Sequence, residues 1–92
     1  MIVDSHVHLG SAPEAKARGQ IPTKFLSGEL IQIMDRNNID ISVVFAYGRL
    51  HDKFRRHNQT VCDAVIEHPS RLVGFVRPNP WYEESLLDID LF

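Results

Sequence analysis

Residues Ile39–Ala46 read IDISVVFA. The second half of this stretch is β-branched or aromatic and almost unbroken in apolar character, the pattern of a strand buried on both faces of a parallel sheet. Tyr47-Gly48 ends it. Upstream, Leu30, Ile33, Met34 and Asn37 follow at helical spacing, with Ser27 as the expected cap, Glu29 in the first turn, and Asn37-Asn38 as a close that tolerates the left-handed conformation. Further upstream, Ile2–Leu9 is too short for a helix and meets Gly10-Ser11-Ala12-Pro13, so it reads as a strand entering a loop. Downstream, Phe54, Asn58, Val61, Cys62, Val65 and Ile66 mark a second helix that His68-Pro69 stops. Leu72–Val76 is then a third short strand ended by Pro78 and Pro80, and Trp81–Phe92 opens another amphipathic stretch.

Strand, helix, strand, helix, strand is the order of a parallel α/β sheet with right-handed crossovers. Eight such βα units close a barrel of roughly 250 residues, of which this chain supplies about three. The expected architecture is a parallel βαβαβ segment, the opening part of a (β/α)₈ barrel formed by residues 1–92. The segment Gly10–Thr23 has no apolar period and reads as a long connection of the kind that often carries function.

Composition narrows the class. With 43% hydrophobic and 24% charged residues the chain is globular in type, and at 92 residues its core would be marginal without a partner or a continuation. Ten Lys plus Arg against twelve Asp plus Glu give a net charge of −2, and the small cluster Lys53, Arg55, Arg56 reads as a solvated helix face rather than a nucleic-acid surface. The lone Cys62 allows no intramolecular disulfide and reads as a small packed side chain. Met1-Ile2-Val3 runs straight into Asp4 without a basic or long apolar leader, and no window approaches a membrane span, so a cytoplasmic location is expected.

Asp4, His6 and His8 are spaced two apart, which on a regular strand puts them on one face with Val3, Ser5 and Val7 on the other. Two imidazoles at a strand's C-terminal end can bind one divalent cation at about 2.0–2.1 Å. Hydrogen-bonded histidines beside an acid are the alternative.

The segments VDSHVHLG (3–10), IDISVVFA (39–46) and HPSRLVGFVRPNP (68–80) resemble the amidohydrolase superfamily, and more narrowly its amidohydrolase-related branch with the aminocarboxymuconate semialdehyde decarboxylase-like enzymes. The first motif is shared with PHP phosphoesterases and TatD-type nucleases, which stay open as alternatives, and the third favours the amidohydrolase-related branch. The resemblance implies a (β/α)₈ barrel in which His6 and His8 are first-strand metal ligands and Asp4 supports them from the second shell of contacts. It implies zinc as the commonest ion, with manganese as an alternative. The chemistry implied is hydrolysis of C–N or C–O bonds by a metal-activated water, or nonoxidative decarboxylation of a small-molecule substrate. The family's further histidines and aspartate would lie beyond Phe92, so the catalytic residues stay unknown and the chain alone is not expected to be active. Tyr47 and Arg49, after the second parallel strand, are the candidate substrate-pocket residues.

Other residues have plainer accounts. His51, His57 and His68 read as surface histidines, Arg71 and Arg77 as solvated strand ends, and Trp81-Tyr82 as packing for the next helix or as pocket lining. Two histidines alone leave zinc short of the three protein ligands usual in catalysis. A non-catalytic assembly or metal-binding module is therefore the second reading, its open sheet completed by a homo-oligomer or by the remaining barrel.

Overall fold

The structure, a computed structural model, describes residues 1–12, 23–47 and 54–92. Its elements are β1 (Val3–Ala12), β2 (Thr23–Phe25), α1 (Ser27–Arg36), β3 (Ile41–Ala46), α2 (Arg55–Glu67), β4 (Leu72–Phe75), a 3₁₀ turn (Glu83–Leu86) and α3 (Leu87–Leu91). The sheet runs in the order β2-β1-β3-β4, with β1, β3 and β4 mutually parallel and β2 antiparallel on the outer side of β1. This is a mixed, mostly parallel α/β sheet with helices between its strands.

Each expected strand and helix forms, with informative departures. β1 continues past Leu9 to Ala12, and Gly10, Ser11 and Ala12 pair with Phe25, Lys24 and Thr23. The ends of the Gly10–Thr23 connection are therefore a two-stranded arm, and residues 13–22 lie outside the described residues. In α1 the cap is Leu26 rather than Ser27. The Leu26 amide donates to the Glu29 carboxylate at 2.7 Å, which satisfies an N-terminal orphan donor from the opposite direction. Asn38, at φ 57°, takes the left-handed turn that leaves the helix. α2 stops at Glu67, and the His68 carbonyl then accepts from the amides of Arg71 and Leu72, each at 3.1 Å, turning the chain into β4.

Both helices contribute to one apolar cluster against the sheet. Leu9 of β1, Val44 and Ala46 of β3 and Leu72 of β4 meet Leu30 and Met34 of α1 and Val61 and Ala64 of α2, with Val7, Phe25, Ile39 and Val65 packed around them. Burial in β3 alternates strictly, with Ser42, Val44 and Ala46 covered and Ile41, Val43 and Phe45 only half covered. The expectation that this strand is buried on both faces is corrected, because the helices lie on one side only. The opposite face carries Phe45 together with the exposed Val73 and Phe75 of β4.

Gly74 sets how closely α2 approaches β4. A Cβ built there would stand 2.9 Å from Val65 Cγ2 and 3.0 Å from Val61 Cγ1, and valine has little freedom at χ1 to retreat. Gly74→Ala is expected to destabilise the fold by about 1–2 kcal/mol, the strain outweighing the loss of unfolded-chain entropy. Urea denaturation checks this, and an unchanged or raised midpoint would contradict it. Among the described residues, no helix is long and apolar enough to cross a membrane.

Candidate metal centre

β1 and β3 pair Val3 with Ile41 and Asp4 with Ser42, then Val7 with Val44 and His8 with Phe45, so Ser5 and His6 together stand opposite Val43 alone. This is a β-bulge, which inserts one residue into one strand and re-aims the side chains that follow. Paired residues of neighbouring strands share a face. Asp4 is thus aligned with Ser42 on the helix-covered side, and His8 with Phe45 on the open side. The expectation that Asp4, His6 and His8 share one face is corrected for Asp4, since the extra residue shifts the two-residue alternation. The Asp4 carboxylate instead accepts the His6 amide at 3.2 Å, across the bulge.

The two imidazoles converge. Nε2 of His6 lies 3.0 Å from Nε2 of His8, with ring centroids 4.9 Å apart. His8 Nδ1 is 3.2 Å from the Ala46 carbonyl oxygen. A carbonyl only accepts, so Nδ1 carries the proton and a neutral His8 presents a bare lone pair at Nε2. His6 Nε2–H then donates to it in the metal-free protein. A ring tethered by one nitrogen to a backbone carbonyl, with the other nitrogen aimed outward, is the arrangement of metal-binding histidines.

The donor set fits a borderline divalent cation. Two nitrogens at zinc distance on a tetrahedral ion stand about 3.3 Å apart, close to the spacing of these rings. Among the described residues no group of three or more His, Cys, Asp or Glu is gathered as a metal would need, and His6 and His8 are the two side chains that would face an ion here. Both histidines are exposed on the open face.

The surrounding residues come from the ends of the parallel strands. The Tyr47 amide donates to the Leu9 carbonyl at 2.9 Å, and its ring stands edge-on to His8 at 6.4 Å. Gly10, at φ 137°, leaves room for this, since a Cβ there would lie 3.2 Å from Tyr47 Cβ. Arg49 and His51 lie outside the described residues.

Arg77 departs from the reading of a solvated strand end. Its Nη1 donates to the Ala46 carbonyl at 3.0 Å, the same oxygen that holds His8, and its guanidinium lies 4.4 Å above the Phe54 ring. Buried Asn58 clasps the Arg77 backbone from both sides, its Nδ2–H donating to the carbonyl at 3.1 Å and its Oδ1 accepting the amide at 2.9 Å. Arg71 likewise donates to the carbonyls of Asp40 and Ile39 and pairs with Asp35 at 2.9 Å, tying the opposite strand ends together. Two more readings change. His57 is 7% exposed rather than on the surface, because the first turn of α2 packs inward. Trp81 is exposed rather than packed against the sheet, the turn after β4 being fixed instead by buried Asn79, which accepts the Trp81 amide at 3.0 Å.

Sequence reasoning passed over Phe45, Phe75 and Asn58. Phe45 lies tilted against His6 at 4.6 Å and stacks on Phe75 at 5.5 Å, so a line of rings crosses three strands. The available signal was an aromatic residue at or next to the end of two successive parallel strands.

Compared with protein-family models, with curated proteins and with solved structures, the chain matches none of them.

Proposed function

We propose that this chain carries the first-strand part of a metal-dependent enzyme of the amidohydrolase-related kind, acting on a small molecule as a hydrolase or nonoxidative decarboxylase. The observation that carries the reading is the convergence of His6 and His8 at 3.0 Å, with His8 held by the Ala46 carbonyl so that its Nε2 turns its lone pair toward His6. Parallel strands β1, β3 and β4 in adjacent order, helices on one face and ring-bearing strand ends on the other are what the first units of a (β/α)₈ barrel would present. In that architecture His6 and His8 hold Zn²⁺, or Mn²⁺, at the C-terminal ends of the strands. The bound ion would supply Lewis acidity and lower the pKa of a water toward about 7. His8 orients through Ala46, Asp4 fixes the backbone of His6, and Tyr47 borders the substrate side with Arg49 two residues further along the sequence. Further ligands and the acid/base group come from later strands of the barrel, and half-buried Cys62 suits a reducing, cytoplasmic setting.

A second reading rests on the open face, where Val73 and Phe75 are about half exposed. That surface needs a cover, and a second copy of the chain would supply it if the protein is a non-catalytic module.

The test is metal content. The purified protein is expected to take up about one zinc or manganese per chain, and chelation is expected to remove it; hydrolysis or carbon dioxide release is expected only when the later strands of the barrel are supplied. A protein that takes up no divalent cation would overturn the proposal.

A further inference from the structure

The two histidines differ in what holds them. His8 is fixed by a hydrogen bond to the Ala46 carbonyl and meets Phe45 only at a centroid distance of 6.0 Å, whereas the His6 ring lies tilted against Phe45 at 4.6 Å and 32°. Phe45 is itself stacked on Phe75 at 5.5 Å and 16°. His6 lies in the bulge, where strand pairing is interrupted, so the ladder alone constrains its ring less than that of His8. The geometry points to Phe45 as a positioning residue: its ring, braced by Phe75, sets the rotamer of His6 so that Nε2 faces Nε2 of His8.

This inference rests on the cation-binding reading for its consequence, but its geometric content stands in the metal-free protein. An aromatic contact at this distance biases the correct rotamer about 3- to 10-fold over an aliphatic neighbour. Phe45 lies on the half-covered face rather than in the apolar cluster, so it can be replaced without opening the core.

The experiment uses the whole protein, with Phe45→Leu, Phe45→Tyr and the milder Phe75→Leu, each read in two ways. In the metal-free protein, the three-bond couplings that report χ1 of His6 and the NOE between the His6 and His8 rings are expected to show one rotamer, which Phe45→Leu averages and Phe45→Tyr keeps. In Zn²⁺ titrations, affinity is expected to fall about 3- to 10-fold in Phe45→Leu, less in Phe75→Leu, and to be retained in Phe45→Tyr. A purely structural role for Phe45 would lower thermal stability without changing the His6 couplings or the inter-ring NOE. The inference is overturned if Phe45→Leu leaves both at their wild-type values, or if Phe45→Tyr averages them as fully. Should Phe45→Leu fail to fold, Phe75→Leu decides through the same couplings. If the wild-type protein binds no Zn²⁺ yet the couplings respond as described, the cation-binding reading falls and the positioning role stands.

Discussion

Replacing His8 with alanine is expected to abolish stoichiometric Zn²⁺ uptake, a loss larger than the roughly 10–100-fold that follows removal of a residue behind a metal ligand. The reasoning starts from the two ring nitrogens 3.0 Å apart. With His8 gone, His6 is the single imidazole left on this face among the described residues, and one exposed nitrogen donor does not hold a divalent ion against water. The Ala46 carbonyl loses its His8 partner but keeps Arg77, so the strand end should persist and the loss should appear in metal affinity rather than in folding. Asp4→Ala is the contrasting substitution. Its carboxylate meets the His6 amide rather than a ring, so the expected loss is about 10-fold or less. Calorimetric titration of the three proteins checks the order, and equal affinities for wild type and His8→Ala would contradict it.

Leu9→Ala is expected to destabilise the protein by about 3 kcal/mol, because Leu9 is fully buried at the centre of the cluster between the sheet and both helices, and truncation removes contact area and leaves a cavity. That is a large share of the stability of a domain this small. A matched change at Ile66, which is 72% exposed on α2, should shift stability by less than about 0.5 kcal/mol. Urea denaturation of the pair is the check. A Leu9→Ala protein within about 1 kcal/mol of wild type would mean that β1 is not seated on the helices as described.

Leu9 and His8 also show how far the sequence could be read. The alternation of periods placed the three parallel strands and the two long helices correctly, because apolar spacing and the breakers at Asn37-Asn38 and His68-Pro69 are local signals. The bulge was not legible. Whether Ser5 and His6 share one partner is a property of how β1 pairs with β3, and nothing in VDSHVHLG by itself announces it. The same holds for the arm formed by β1 and β2, whose paired residues apart from Phe25 are small or polar and show no apolar period. Nor could spacing assign Arg77 and Asn58, whose partners are backbone groups distant in sequence. The pairing of His6 with His8 was readable because the two-residue alternation resumes at His6, the second residue of the bulge, and runs through Val7 to His8. The rings that brace them belong to other strands and emerged only with the register.

The central claim is that His6 and His8 together bind a divalent cation. X-ray absorption at the zinc edge, on protein carrying one equivalent of Zn²⁺, tests it most directly. The account predicts at least two imidazole nitrogens at about 2.0–2.1 Å, with their outer-ring scattering lost in the His6→Ala/His8→Ala double variant. A shell of oxygen alone, or a spectrum unchanged in the double variant, would contradict it.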